Sequence, residues 1–204
     1  MKLEQERIVS AALALVNREG LSGFNLRALA RTLNVRASAL YWHVGSKDEI
    51  VAHMAKSLYD RAFEAAPKGA PWQDWLLGFA RAFRASLLGQ RDSAQICTVA
   101  RLLDTNIPEL MERIAAPMMA GGVDKSSAVS MQGAVIAYTL GWVVYEQSST
   151  LHDTLEQMYD FTESYERGLM AMVRGFADGP DHLAPVRPHA TAAPRTINMP
   201  HNRQ

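Results

Sequence analysis

The chain has 204 residues, 48% hydrophobic, 21% charged and 8% aromatic, which fits one or two globular domains and excludes a disordered or fibrous chain. Twenty-one Lys and Arg balance twenty-one Asp and Glu, so only a local asymmetry can point to a polyanionic partner. A single cysteine, Cys97, excludes an intrachain disulfide, and a polar start with no run of roughly 18 uninterrupted apolar residues predicts a cytoplasmic protein with no membrane partner.

From residue 4 to 19 the apolar residues Ile8, Ala12, Leu15 and Val16 recur at helical spacing, with Gly20 as the expected stop. A second helix begins after Asn25, whose side-chain oxygen can cap exposed N–H groups, and runs through Leu26, Leu29, Ala30 and Leu33 until Asn34 breaks it. A short third helix fits residues 38–44. Ser46-Lys47-Asp48-Glu49 reads as a capping box, and Ile50, Val51, Met54 and Leu58 carry the helix it opens to about residue 65. Pro67, Gly69 and Pro71 then interrupt the pattern. Beyond them the expected helices are 72–90, 93–104, 108–120, 125–148 and 154–177, and no strand series competes. Gly121-Gly122 lies between two helices without a preceding strand and reads as a break, not a phosphate cradle. Residues 178–204 hold five of the nine prolines and few large apolar residues, so a disordered tail is expected.

Chemistry-bearing motifs are scarce. The six histidines form no HxxxH or HExxH pair, Cys97 has no CxxC partner, and no GxSxG, Walker or GxGxxG pattern occurs. The sequence therefore predicts no catalytic residue, no metal, no cofactor and no enzyme.

What stands out is charge. Between Gly20 and Lys47 there is no acidic residue, while Arg27, Arg31, Arg36 and Lys47 supply four positive charges. A DNA backbone rewards such a face through counterion release, and the helix N-termini after Asn25 and Ala37 add backbone N–H donors. The turn Asn34-Val35-Arg36-Ala37 leads into the small residues Ser38 and Ala39, then Tyr41, Trp42 and His43. A helix lying in a major groove needs slim residues at its start and longer polar or aromatic ones further along. Trp42 divides between that surface and the core, whereas Leu29, Leu33, Val35 and Leu40 read as core.

Leu26-Arg27-Ala28-Leu29-Ala30, Leu33-Asn34-Val35 and Ala39-Leu40-Tyr41-Trp42-His43-Val44 with Lys47 resemble the signature of TetR-family transcriptional repressors. Trp72-Gln73-Asp74 and Phe83-Arg84-x-x-Leu87-Leu88-x-x-Arg91-Asp92 resemble the family's tetracycline-repressor subgroup. The resemblance implies an all-α homodimer: a three-helix helix-turn-helix DNA-binding domain over 1–48, a larger helical ligand-binding and dimerisation domain over 49–177, and the tail. It places Arg27, Tyr41, Trp42, His43 and Lys47 at a double-stranded DNA operator, and the cap and turn residues Asn25, Arg36, Ala37 and Ser38 are further candidates for that surface. The first residues of the recognition helix depart from the subgroup, so a different operator is expected, with Arg36 reading a base, guanine by geometry.

The drug pocket departs further. By the resemblance, Phe63 and Phe79 stand where drug-binding histidine and asparagine are expected, Phe83 matches, Cys97 replaces a metal-coordinating histidine, and Tyr145 aligns with an acidic contact. Magnesium–tetracycline is therefore not the expected ligand. Met111, Tyr138 and Trp142 extend an aromatic and apolar lining. Tyr138, Trp142 and Tyr145 at i, i+4 and i+7 share a helix face over which a cation can sit. Glu146 and Asp104 are candidate counter-charges for that cation, and Arg101 the counterpart for an acidic ligand. Dimerisation is expected through helices 125–148 and 154–177, with Met131, Val135 and Tyr138 facing Tyr165, Leu169 and Met172.

The function expected is a repressor that binds a palindromic operator as a homodimer and is released by bulky, lipophilic, cationic aromatic compounds, controlling an efflux pump gene. The alternatives are a neutral or acidic aromatic inducer, and a constitutive DNA-binding protein with no inducer.

Overall fold

The structure, a computed structural model, describes residues 5–100 and 107–178. Arg101, Asp104 and the expected tail beyond Asp178 lie outside the described residues. The described chain forms ten helices and no strand: α1 (Gln5–Gly23), α2 (Leu26–Thr32), α3 (Ala37–Val44), α4 (Lys47–Ala65), α5 (Trp72–Leu88), α6 (Ser93–Val99), α7 (Ile107–Met119), α8 (Lys125–Gln147), α9 (His152–Glu156) and α10 (Phe161–Ala177). The all-α architecture is the one expected.

Local chemistry sets the boundaries. Asn25 caps α2, its Oδ1 accepting from the Ala28 N–H at 2.9 Å. At the other end Asn34 adopts φ 54°, its N–H donates to the Arg31 carbonyl at 3.1 Å, and the Val35 N–H donates to the Ala30 carbonyl at 3.0 Å. This left-handed stop satisfies the last carbonyls and turns the chain into α3. The capping box forms as expected: the Glu49 N–H donates to Ser46 Oγ at 3.1 Å, and the Ser46 N–H to Glu49 Oε2 at 3.2 Å. It leaves no room beside Gly45, where φ is +60° and an added Cβ would lie 2.1 Å from Glu49 Oε2.

Three boundaries differ from the sequence expectation. α1 does not end at Gly20; that residue breaks the helix with φ 76°, and a last turn continues to Gly23. The expected 154–177 helix is divided, because Asp160 accepts from the Glu163 N–H at 2.7 Å and starts a new helix there. α6 ends at Val99 rather than at 104.

The core is one continuous cluster from Ile8 in α1 to Val173 in α10. α4 packs against α5, α1, α6 and α3, so it joins the first three helices to the rest. A polar junction does the same from another side. The α5–α6 turn places Asp92 Oδ2 2.7 Å from the Leu21 N–H, the Arg91 N–H 2.8 Å from Asn17 Oδ1, and Gln90 Nε2 3.2 Å from the Leu13 carbonyl. Gln147 at the end of α8 donates to the carbonyls of Leu87 and Gln90 at 3.1 and 2.8 Å, extending that junction to α8.

α8 is long and apolar enough to cross a membrane by length and composition alone, and 28% of its most apolar stretch is buried in the chain. Its buried face, Ala128, Gln132, Val135, Thr139 and Val143, is core. The opposite face exposes Ser126, Ser130, Gly133, Ala137, Gly141 and Val144. Val135, Tyr165 and Leu169, expected at a dimer seam, are fully buried within the chain because α10 folds back on α8.

Candidate nucleic-acid interface and ligand chamber

The first three helices bury Leu29 and Leu40 completely and Leu33 nearly so, while Val35 is partly buried. That leaves the polar side of α2 and α3 outward. Arg27, Arg31, Arg36, Ser38, Ala39, Tyr41, Trp42, His43 and Lys47 are exposed, and Ala37 is half-buried. Trp42 is 85% exposed, so the core role considered for it is not the one it plays. Its ring meets the His43 ring edge-on at 5.4 Å. Lys47 Nζ sits over the Phe24 ring at 5.8 Å, which orients it without neutralising it. Among the described residues none of Arg27, Arg31, Arg36 and Lys47 enters an ion pair. The α3 N-terminus has no side-chain cap, since Arg36 occupies that position without bonding back. Asn25 differs: its Oδ1 caps α2 and its Nδ2 donates to the Gly23 carbonyl at 3.1 Å, so its side chain is committed within the fold.

Behind this unit lies an aromatic cluster. Phe63 of α4 packs on Phe79 at 4.8 Å and Trp75 at 6.1 Å, Phe79 stacks on Phe83 at 5.8 Å, and Phe83 stacks on Tyr59 at 4.7 Å. Phe79 and Phe83 are fully buried. Cys97 lies beside the Tyr59 hydroxyl, and burial pushes its thiol up to about 12, so it is protonated and unreactive at neutral pH. A cleft of about 140 Å³ opens at the edge of this cluster between Asp60, Phe63 and Glu64 of α4 and Arg113 of α7. Met111, two residues before Arg113 on α7, is half-buried.

The α8 residues expected beside these rings go elsewhere. Tyr138 and Trp142 join a second cluster with Tyr159, Phe161 and Tyr165. Tyr138 Oη donates to the Tyr165 carbonyl at 2.9 Å. Tyr145, at the end of α8, is 44% exposed and touches neither cluster among the described ring contacts. Glu146 is not a free counter-charge: its carboxylate accepts from Arg84 Nε at 2.9 Å and from a terminal nitrogen at 2.6 Å. Sequence reading missed Arg84 because its partner is 62 residues away on another helix. The guanidinium also lies over the Tyr165 ring at 4.8 Å, and the pair's side chains are only 13% and 9% exposed. Among the described residues no group of His, Cys, Asp and Glu could hold a metal ion.

Residues 8–54 match the family described as bacterial regulatory proteins, tetR family, and residues 65–174 match the tetracyclin repressor-like C-terminal domain. The chain belongs to the TetR family. A tetracycline repressor protein of class A, from transposon 1721 of Escherichia coli, is 32% identical over 152 residues, covering 72% of this chain and 68% of that protein. The TetR-Q116A protein of Acinetobacter baumannii AYE, solved in complex with minocycline, is 30% identical with a TM-score of 0.72, covering 87% of this chain and 98% of that one. BioQ, solved with its natural double-stranded DNA operator, is 26% identical with a TM-score of 0.65 over 87% of this chain and all of the other. In this TetR-family regulator, α2 and α3 form the helix-turn-helix; Trp75, Phe79, Phe83 and Arg113 fall in the repressor-like C-terminal match, while Tyr59, Asp60, Phe63 and Glu64 lie on the stretch of α4 between the two matched spans.

Proposed function

We propose that this regulator is a ligand-released repressor acting in the cytoplasm. It binds a palindromic operator as a homodimer and leaves it on binding a bulky, flat, lipophilic aromatic cation, and it controls the gene of an efflux pump that exports such compounds. The observation that carries the reading is that α4 serves both ends: Lys47 at its start lies on the basic face, and Phe63 near its end belongs to the aromatic cluster and the cleft.

The geometry also supports a mechanism. Drug-sized sites occupy about 300–1,000 Å³, so a ligand seated beside Phe63 must part α4 from α7. Parting them tilts α4, whose other end carries the recognition helix. Recognition helices must reach major grooves about 34–36 Å apart, one turn of DNA, so a small tilt loses the match. Release requires the ligand to prefer the tilted state, because equal affinity for both states shifts nothing. With Glu146 committed to Arg84, the carboxylates of Asp60 and Glu64 at the cleft are the groups that favour a positive charge.

The exposed small-residue face of α8 supports the dimer. Gly133 and Gly141 have nothing within 4 Å of an added Cβ, which lets a partner helix approach closely. Arg27, Tyr41, Trp42, His43 and Lys47 grip phosphates and Arg36 reads a base, supported by the absence, among the described residues, of any ion pair to Arg27, Arg31, Arg36 or Lys47.

The test is fluorescence anisotropy of labelled DNA from immediately upstream of the protein's own gene, titrated with protein and then with a cationic triarylmethane dye. Specific binding followed by release on adding dye is expected. A dye that binds the protein yet leaves the DNA complex intact overturns the release mechanism.

A further inference from the structure

Four polar side chains are buried among the described residues: Gln90, Ser93, Gln132 and Thr139. Three are bonded. Gln90 donates to the Leu13 carbonyl, Ser93 to the Leu87 carbonyl and Thr139 to the Val135 carbonyl. Gln132 is 1% exposed, and neither its Nε2 nor its Oε1 has a partner. A buried carboxamide with donor and acceptor both unmet costs folding free energy, and an apolar residue of similar size would not.

The register of the helices locates it. Tyr165 Oη lies 3.0 Å from Thr139 Oγ1 and donates to the Ala80 carbonyl at 3.1 Å, so residue 139 of α8 is level with residue 80 of α5. Arg84 and Glu146 repeat that alignment further along, so the two helices run in the same direction. Seven residues back from Thr139, roughly 10 Å along the axis, Gln132 is level with the first half of α5. Trp75, Leu76 and Phe79 are buried there, and Phe63 packs on Trp75 and Phe79 from the side of the cleft. The face of α8 that carries Gln132 is the buried one, packed on α5, α7 and α10. Gln132 therefore lies on the buried face of α8 at the level of the first half of α5, where Trp75 and Phe79 form the layer on which Phe63 packs.

We infer that Gln132 is the polar anchor of the ligand chamber, and that it selects flat aromatic ligands whose inner edge carries a hydrogen-bond donor beside an acceptor, as a lactam or a carboxamide does. This rests on the ligand-released reading above. A carboxamide and a cis-amide edge satisfy each other with two antiparallel hydrogen bonds, and each is otherwise left unmet in an apolar chamber. Any positive charge on the same ligand then lies outward, at Asp60 and Glu64.

The experiment compares phenanthridin-6(5H)-one with its N-methyl derivative, which keeps the shape and loses the donor, by tryptophan-fluorescence titration of the full chain and of Gln132→Leu, together with thermal melts of both proteins. The wild type is expected to bind the lactam at least ten-fold more tightly than the N-methyl compound. Gln132→Leu is expected to bind the two equally and to melt roughly 2–4 °C higher, since it removes an unmet polar group from the core. A lactam preference that survives in Gln132→Leu overturns the inference, as does equal or absent binding of the two compounds by the wild type. A lower melting temperature for Gln132→Leu also overturns it, because the carboxamide is then satisfied within the fold. A triarylmethane dye titrated in parallel separates the two readings: dye release of DNA without a lactam preference leaves the repressor reading standing and removes only the role of Gln132.

Discussion

At the α2–α3 end, Arg27, Arg31, Arg36 and Lys47 face solvent with no ion pair among the described residues, and Trp42 stands 85% exposed. At the end of α8, Arg84 and Glu146 are locked to each other with 13% and 9% of their side chains exposed, over a tyrosine ring. The same residue types thus do opposite work. Cations left unneutralised cost little in water and remain available to a polyanion, whereas a buried charge persists only when its partner is fixed. Substitution should accordingly damage binding at one end and stability at the other.

The largest effect is expected from splitting the buried pair. Glu146→Gln or Arg84→Met leaves one charge buried alone, and a loss of about 3 kcal/mol is expected, read as a lower urea midpoint with an unchanged slope. If the double substitution Arg84→Met/Glu146→Leu is as unstable as either single one, the pair is not the source of the loss. At the other end, Arg36→Ala is expected to leave the urea midpoint unmoved and to weaken operator binding by about 1–3 kcal/mol, with relaxed preference at one base position. Arg27→Ala is expected to weaken all DNA sequences alike and to lower the slope of log K against log salt by about 1. A fall in stability for either arginine variant would erase the contrast between the two ends.

The smallest effect concerns pH. His53, on α4, hydrogen-bonds Gln5 of α1, and burial holds its pKa below the usual 6.5, opposed by Glu49 and reinforced by Lys56. Between its folded and unfolded values the unfolded chain binds the extra proton, so stability falls as pH drops below about 6.5. Urea midpoints at pH 7.5 and 5.5 should show less of that fall in His53→Gln than in the wild type.

The N-terminal end was legible in the sequence because its signals are local. Asn25, Asn34, Ser46 and Glu49 act within four residues of themselves, and a charge run without acids needs no partner to be noticed. The ligand end was legible only in part. The aromatic trio Phe63, Phe79 and Phe83 does assemble, but the stripe Tyr138, Trp142 and Tyr145 does not join it, because helical spacing says which residues share a face and not which helix that face meets. Glu146 looked available for the same reason: the guanidinium that claims it comes from α5. Asp160 went unread as a cap because the apolar series around it continues without interruption, and Gln132 carries no local signal because nothing in a single helix's spacing says that a lone amide will be buried without a partner.

The junction at the α5–α6 turn bears on how the first three helices can move at all. They are held to the rest of the molecule in two separate places, along α4 and where Gln90, Arg91 and Asp92 grip the end of α1. A rigid body held at two points has one line about which it can rotate and no other. The break at Gly20, with its φ of 76°, presents the Leu21 N–H to Asp92 and so fixes one end of that line. The recognition helix therefore does not wander on a flexible tether. Any rotation of the first three helices is confined to the line through these two attachments.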